Sequence, residues 1–337
     1  MKAALIGLGR MGRRHLENLL NLQLDVVGLC DPIEAARLDA RAHANLAESC
    51  LFADPYKMLA QARPELLIIS TTADAHADLT CTAAEHGVSL IMCEKPMATS
   101  IAAARRMLDV CARHGARLAI NHPMRFMEQY NVPKAMLDSE QFGGLKSVHV
   151  AGGNFGIAMN GTHYFEKFRH MTGSPIVEAQ AWFSSEKVTN PRGPQFEDRA
   201  GALRLVTASG VRLTMDCGSD QGHGCRVIYT ARNGQIFVDE LGGKAYWTAR
   251  KAEHREMPTT RYGMPWDEGE LRIEPADALI PSLRLLNALL AGKEFTTGED
   301  GLAAIRVLVA AHVSAAENSR AVRLDEKLPE DRVFPWA

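Results

Sequence analysis

The chain has 337 residues, enough for two domains, with 46% hydrophobic and 23% charged residues, proportions that are typical of a globular protein. Its net charge is −2, from 38 Lys and Arg against 40 Asp and Glu, which argues against nucleic acid or a membrane as a partner. The seven cysteines form no CxxC pair and no zinc-ligand spacing. This cysteine pattern predicts no metal site, and we expect a cytoplasmic protein with reduced thiols. Since the first apolar run follows Met1 directly, we also expect no signal peptide.

The first thirty residues have the order of a dinucleotide-binding βαβ unit. An apolar run at 3–6 leads into Gly-Leu-Gly-Arg-Met-Gly at 7–12, and a helical stretch and a second apolar run follow. Gly7 allows a sharp turn, Gly9 lets the backbone approach a pyrophosphate, and Gly12 lets the helix pack closely. The pyrophosphate would then lie at the helix N-terminus, so Arg10 and Met11 are assigned to the same cofactor site.

The second apolar run, 26–30, ends on Asp31. A carboxylate at this position can accept hydrogen bonds from both ribose hydroxyls of an adenosine, and it would repel a 2′-phosphate. The sequence therefore favours NAD(H) over NADP(H).

Strands and helices alternate up to residue 121, which predicts a doubly wound parallel sheet. Ligands of such sheets bind beyond the carboxyl ends of the strands. Thr71, Thr72, Glu94 and Lys95 lie at such ends, although the threonines are equally suited to capping a helix or turn. Lys95 follows a buried strand, where burial would lower its pKa and suit it to proton transfer with a substrate oxygen. A structural or solvated lysine is the alternative.

Four segments together resemble the Gfo/Idh/MocA family of oxidoreductases: GLGRMG at 7–12, TTADAH at 71–76, MCEKPMATS at 92–100 and NHPMRF at 121–126. The resemblance runs from Met1 to about Arg323. It implies that Lys95 contacts both the reacting hydroxyl or carbonyl and the nicotinamide side of the cofactor, with Glu94 beside it. It also places His76 near the cofactor, with packing of a helix as the alternative role.

The pattern changes after residue 122, and we predict domains at 1–122 and 123–337. Polar and apolar residues alternate in several segments of the second part, which predicts an α+β domain with a large, open-faced, mainly antiparallel sheet. The open face requires a cover, so we expect a homodimer or homotetramer through this sheet. By resemblance, a final helix at 299–319 packs back on the first domain.

The segment around His163 is the most informative part of the second half. The resemblance implies that His163 is the acid–base residue, but Met159 stands where the family has an Asp. Asn160 could orient His163 without supplying charge, and Tyr164 is a lesser candidate for substrate contact. Packing of the helix is the alternative role for His163.

Two further residues are assigned to the substrate pocket. Arg125 could contact the substrate or stabilise the domain junction, and Asn154 lies on the first strand of the second sheet. The loops at 190–194 and 259–270 carry polar and aromatic side chains that the sequence does not place.

These features predict an NAD(H)-dependent oxidoreductase that transfers hydride between nicotinamide and a hydroxyl or ketone carbon of a sugar, cyclitol or sugar derivative. One alternative is an NAD-using glycosidase with a transient redox step. The other is a catalytically silent sugar-pathway regulator, which the missing Asp at position 159 would explain.

Overall fold

Two β-sheets organise the chain, in agreement with the predicted fold class. The computed structural model describes residues 1–153, 155–188, 190–222, 224–258, 263–277 and 279–337, and for residues 186–188 it describes the backbone alone. Across these residues no helix is both long and apolar enough to cross a bilayer. All seven cysteines are free thiols, and only Cys50 is not fully buried.

The first sheet has six parallel strands in the order β3-β2-β1-β4-β5-β6, with helices on both faces. The strands are β1 Lys2–Ile6, β2 Asp25–Cys30, β3 Leu51–Phe52, β4 Leu66–Ile69, β5 Leu90–Cys93 and β6 Arg117–Ile120. The helices are α1 Arg10–Asn21, α2 Glu34–Ala44, α3 Pro55–Ala62, α4 Ala73–Glu85 and α5 Ile101–His114. Every residue of β4 and β5 is buried, as a parallel strand covered on both faces requires.

Local signals in the sequence fix the helix ends. The Asp54 carboxylate accepts hydrogen bonds from the first turn of α3, and the Ser100 hydroxyl accepts one from Ala103 N–H at the start of α5. Gly115 ends α5 with a φ of 68°, a left-handed conformation that favours glycine. Because the helices start and stop at these residues, the connecting loops after β1, β4 and β5 come together at one edge of the sheet.

The second sheet has nine strands in the order β14-β13-β12-β11-β7-β10-β9-β8-β15. Neighbouring strands are antiparallel except β7 and β10, which are parallel. The strands are β7 Leu145–Gly153, β8 Ile176–Val188, β9 Asp198–Thr207, β10 Arg212–Gly218, β11 Gly224–Ala231, β12 Gly234–Asp239, β13 Lys244–Arg250, β14 Trp266–Arg272 and β15 Val322–Arg323. The strand β13 was not predicted. The prediction of a loop at 259–270 is wrong from Trp266 onward, because an exposed edge strand begins there. Residues 259–262 lie outside the described residues.

The helices of the second half are α6 Glu128–Leu137, α7 Thr162–Thr172, α8 Leu279–Ala291 and α9 Gly298–Ala316, and a π-helical turn, Ile157–Gly161, leads into α7. Two of them return to the first sheet. Leu285 and Leu289 of α8 are fully buried in the core that α1 and the first sheet share. At Gly301 of α9 an added Cβ would lie 2.6 Å from the side chain of Ile120, so α9 and β6 are in close contact. The carboxyl edge of the first sheet therefore faces the second half of the chain.

Candidate functional site

The glycine turn after β1 has the geometry that its three glycines require. Gly7 has a φ of 87°, and a Cβ at Gly12 would lie 2.0 Å from the Gly7 carbonyl oxygen, so neither position accepts a side chain. Gly9 differs, because no atom lies within 4 Å of the position of its Cβ. The turn is thus tightly packed on its inner side and open at Gly9, immediately before α1 begins at Arg10.

Asp31 lies at the end of β2, beside this turn. Its Oδ2 accepts a hydrogen bond from Leu8 N–H at 2.8 Å, and its Oδ1 accepts one from Ile33 N–H at 2.8 Å. Each carboxylate oxygen keeps a lone pair after these bonds. The backbone therefore fixes the carboxylate at the position where an adenosine ribose would be recognised.

Glu94 is a buried carboxylate directly after the carboxyl end of β5. Its Oε1 lies 2.7 Å from His15 Nε2 and accepts a hydrogen bond from Asn121 Nδ2 at 2.8 Å. Burial alone would raise the pKa of Glu94, but the bond to His15, the charges of His15 and Lys95, and the bond from Asn121 together hold it below its ordinary value. Glu94 is therefore ionised and already saturated by protein donors.

Lys95 follows Glu94 through a loop whose Lys95–Pro96 peptide bond is cis. Its Nζ donates a hydrogen bond to the carbonyl oxygen of Met159, 2.6 Å away in the other half of the chain. Burial lowers the pKa of Lys95 to about 8, against the opposing charge of Glu94. Near neutral pH this amine can exist in either protonation state, as acid–base chemistry requires.

The turn that presents Met159 to Lys95 is held by Asp198, at the start of β9. The Asp198 carboxylate accepts hydrogen bonds from Ala158 N–H at 2.7 Å and from Met159 N–H at 2.9 Å. Asp198 and Lys95 thus bind opposite sides of the same residue, one at its N–H and one at its carbonyl. Burial raises the pKa of Asp198 to about 6, although these hydrogen bonds and the charge of Lys95 act in the other direction.

His163 lies in the first turn of α7 and approaches His122 at the end of β6. The two Nδ1 atoms are 3.4 Å apart. Burial and the charge of Lys95 lower the pKa of both imidazoles, that of His122 to about 3. Both rings are therefore neutral at neutral pH, so the bond between them has one donor and one acceptor.

Glu94, Lys95, Met159 and His163 line one cleft of about 190 Å³ between the two halves of the chain. His122 and Asp198 contact two of these lining residues, His163 and Met159. Of the predicted residues, the cleft contains Arg10, Met11, Glu94, Lys95, Asn160 and His163. Glycines 7, 9 and 12, Asp31, Thr71 and Thr72 lie at the neighbouring strand ends of the first sheet, where a dinucleotide would continue from the cleft. Asn154 lies outside the described residues.

Three predicted residues are placed elsewhere. Tyr164 points into the second sheet, where its hydroxyl donates a hydrogen bond to Glu240 at 2.7 Å. Adjacent residues of a helix face different sides, so Tyr164 does not share the direction of His163 on α7. Arg125 forms ion pairs with Glu166 and Asp300 at the junction of the two halves, the second of the roles considered for it.

His76 is fully buried, and its ring nitrogens lie 2.9 Å from the Pro96 carbonyl oxygen and 3.3 Å from that of Thr71. It therefore holds the loop of Lys95 and does not present a free nitrogen to the cleft. Contact of His76 with the cofactor itself is not supported by this placement.

Sequence reasoning missed three residues of the site: His122, Arg192 and Asp198. Arg192 lines the cleft beside Lys95 and His163. His122 was recognised at a strand end but was given no role, and Arg192 was recognised in a polar loop that could not be placed. Only contacts between distant parts of the chain distinguish these residues from ordinary surface or core residues.

The residues at the strand ends fit a nicotinamide dinucleotide. The open space at Gly9 would accept the pyrophosphate at the N-terminus of α1, and the Asp31 carboxylate would accept the ribose hydroxyls. The cleft at Lys95 and His163 then lies where the nicotinamide end of such a molecule would reach. The fold and the site together define a two-domain protein whose first domain has the architecture of a dinucleotide-binding domain.

Comparison with known proteins agrees with the resemblance seen in the motifs. Residues 1–122 match the family model of the Gfo/Idh/MocA proteins, described as an oxidoreductase family with an NAD-binding Rossmann fold. The match covers the first domain alone.

Inositol 2-dehydrogenase from Salmonella typhimurium is 30% identical over 152 residues, which are 44% of this chain and 45% of that protein. The matched segment thus spans just under half the length of that relative. Inositol 2-dehydrogenase 2 from Saccharopolyspora erythraea is 27% identical over 255 residues, 72% of each chain.

A solved oxidoreductase from Agrobacterium radiobacter, in complex with NAD+, L-tartaric acid and magnesium, has a TM-score of 0.79 at 18% identity. The match covers 96% of this chain and 98% of that one, and at this identity it establishes the fold alone.

Proposed function

We propose that the protein is an NAD(H)-dependent oxidoreductase that acts on a hydroxyl or ketone carbon of a sugar, cyclitol or sugar derivative. The observation that carries the proposal is the meeting of Lys95 and His163 in one cleft beside the glycine turn. The relatives support the substrate class, since two of them are named inositol 2-dehydrogenases. A bound nicotinamide would supply the hydride acceptor or donor.

The protein groups divide the proton chemistry between them. With a pKa of about 8, Lys95 is mainly protonated at neutral pH, and two of its ammonium hydrogens remain after the bond to Met159. Lys95 is therefore suited to donate a hydrogen bond to the substrate oxygen. His163 is neutral, and with Nδ1–H donated to His122 its Nε2 can accept the hydroxyl proton during oxidation.

We propose NAD(H) as the cofactor in preference to NADP(H). The Asp31 carboxylate is fixed by two main-chain N–H groups, and it would repel a 2′-phosphate at short range. The nearby Arg37 donates its Nη1 to the main-chain oxygens of Asp31 and Pro32 and so is held away from that position. Titration with the two cofactors tests this choice, and binding of NADP(H) as tight as that of NAD(H) would refute it.

The test of the function has two stages. Purified protein is first titrated with NAD(H), and binding is followed by thermal shift and NADH fluorescence. Oxidation of a panel of polyols and sugars is then measured by NADH formation, with Lys95→Met as the matched variant. Turnover that Lys95→Met abolishes supports the proposal, whereas the absence of any NAD(H) binding contradicts it.

One observation favours a second function. Met159 stands in place of the expected acid, and its carbonyl oxygen accepts a hydrogen bond from Lys95 Nζ. This arrangement is also compatible with a binding site that has no catalytic activity. A silent regulator would bind cofactor and sugar but form no NADH with any member of the panel. A glycosidase with a transient redox step would release an aglycone from a glycoside without net NADH formation.

We also propose a homo-oligomer through the open face of the second sheet. Trp182 on β8 is 62% exposed there, and a shallow apolar depression extends across β7, β9 and β10. A second copy would cover this surface. Light scattering of the protein with and without Trp182→Glu measures the association, and a monomer at high concentration would refute it.

A further inference from the structure

We infer that Arg192 selects the substrate by binding an oxyanion group, so that the preferred substrate is an acidic sugar or polyol that bears a carboxylate. The inference rests on the proposed oxidoreductase function and names the substrate class of the same cleft. Arg192 belongs to the second half of the chain and lines the cleft together with Lys95 and His163.

The loop around Arg192 is fixed by the rest of the protein. Asn190 is buried, and its Oδ1 accepts a hydrogen bond from Arg192 N–H at 3.0 Å, which closes a tight turn. Farther along, Glu197 N–H donates to the Pro335 carbonyl at 2.7 Å. The loop is therefore pinned on both sides of Arg192, and its guanidinium is positioned before any ligand binds.

Arg192 keeps one edge of its guanidinium free. The guanidinium is half-buried, and its Nη1 donates to a main-chain oxygen of Ala337, the last residue of the sequence, at 3.0 Å. Within the described part of the chain no Asp or Glu side chain forms an ion pair with Arg192, and Nε and Nη2 have no hydrogen-bond partner there. A ligand carboxylate on this free edge would receive two charge-assisted hydrogen bonds.

The nearby acids cannot supply this partner. Glu94 is engaged by His15 and Asn121, and Asp198 by two main-chain N–H groups. Glu94 is also the only acid among the described residues that line the cleft. Burial and then Glu94 have the largest effects on the pKa of Lys95, and the charge of Arg192 lowers it further, so the two cations lie close together in the cleft.

The remaining lining suits a substrate that carries hydroxyls as well as a carboxylate. Asn121, Asn160 and Ser282 offer acceptors as well as donors, and the thioethers of Met124, Met127 and Met159 supply apolar contact. A carboxylate is an acceptor at both oxygens, and Arg binds it in a bidentate manner. The free edge of Arg192 is thus matched to the anionic end of such a substrate.

The cofactor pyrophosphate is the other oxyanion that could reach this region. Its binding position is at the open Gly9 and the N-terminus of α1, where Arg10 is the adjacent cation. Arg192 belongs instead to the half of the chain that contributes Met159, Asn160 and His163 to the cleft. We therefore assign it to the substrate, and the experiment below separates the two assignments.

The experiment compares matched pairs of compounds: hexuronates and aldonates against the corresponding neutral aldoses and alditols. NADH formation gives kcat/KM for each, and calorimetry gives the affinity of each acid for the protein saturated with NADH, which does not depend on turnover. NAD(H) affinity is titrated separately. The variants are Arg192→Met, Arg192→Lys and the control Arg113→Met, an exposed arginine at the far end of α5.

The wild-type protein should prefer an acid over its neutral partner by about 10-fold or more, as a charged hydrogen bond contributes. Arg192→Met should weaken acid binding by on the order of 10- to 100-fold, Arg192→Lys less, and Arg113→Met not at all. A larger loss of NAD(H) affinity than of acid affinity in Arg192→Met assigns Arg192 to the pyrophosphate and overturns the inference.

Failure of the inference and failure of the proposed function give different results. Equal use of acids and neutral compounds overturns the inference, while the oxidoreductase function stands. Acid binding that depends on Arg192, without hydride transfer to any compound, supports the inference and overturns the proposed function. The absence of any bound acid or neutral sugar in the NADH-saturated protein overturns the inference as well.

Discussion

The Nδ1 atoms of His122 and His163 lie 3.4 Å apart, and the planes of the two rings meet at 87°. His122 lies two residues after β6 of the first sheet and His163 lies in the first turn of α7, so the pair joins the two halves of the chain. An acid would normally orient such a histidine by its charge. Here a neutral imidazole takes that place, and a hydrogen bond alone sets the orientation of His163.

We predict that His122 positions His163 for proton transfer. His122→Leu should lower kcat by about 10- to 100-fold, within the range of general acid–base effects, with little change in KM. His122→Asn, which keeps an acceptor oxygen, should recover part of the loss. Steady-state kinetics measures both, with His86→Asn, exposed beyond α4, as the control. Equal losses in the Leu and Asn variants would count against a positioning role.

The pKa of Lys95 predicts the pH dependence of carbonyl reduction. Protonated Lys95 is the form that donates a hydrogen bond to the carbonyl oxygen, so its deprotonation should add a decline in kcat/KM above about pH 8. Lys95→Met should remove this decline and reduce kcat by on the order of 10²- to 10⁴-fold. NAD(H) titration of the variant confirms that the fold is intact. A wild-type profile without a decline that begins near pH 8 would argue against protonated Lys95 as the hydrogen-bond donor.

Asp198 is predicted to change the pKa of Lys95 through its charge and through Met159, the residue that both side chains bind. The charged groups that act on Lys95 are Glu94, Arg192, Asp198 and Arg10. Because Asp198 raises the pKa of Lys95, Asp198→Asn should move the alkaline limb of the kcat/KM profile to lower pH. Asp109→Asn, exposed on α5, is the control and should leave the limb in place. A loss of activity without movement of the limb would indicate a purely structural effect.

Substitution of two glycines of the turn, Gly12 and Gly9, should have separable effects. Gly12→Ala places a Cβ 2.0 Å from the Gly7 carbonyl oxygen, so it should lower the free energy of unfolding by about 1–3 kcal/mol. Gly9→Ala meets no protein atom within 4 Å and should leave thermal stability nearly unchanged while weakening NAD(H) binding. Thermal unfolding and NAD(H) titration of both variants measure this. Tight NAD(H) binding by Gly9→Ala would place the pyrophosphate elsewhere.

The first sheet and its glycine turn could be predicted because their signals are local. The order of apolar runs, glycines and capping residues specifies strands and helices one after another, and strand ends of a parallel sheet must converge. Lys95 was predicted on this basis, and its partner Met159 was not. The bond between them joins residues that are far apart in sequence, and no periodicity encodes it.

The second half was less predictable for two physical reasons. The edge strand β14 and its neighbour β13 carry exposed polar residues, so their pattern resembles that of a loop. On helix α7 a difference of one residue changes the side that is faced, and this separates His163 in the cleft from Tyr164 in the sheet. The place of Arg192 depends on contacts with residues 335–337, which the local sequence of its loop does not reveal.

The return of α8 and α9 to the first sheet has a kinetic consequence. Asn18 bonds the start of α8, Asn121 bonds Ser282 beneath the cleft at 3.2 Å, and Arg125 bridges Glu166 and Asp300. Wide separation of the two halves would break these buried contacts together, at a cost of several kcal/mol. We therefore expect a bound dinucleotide to leave slowly, through loop movements.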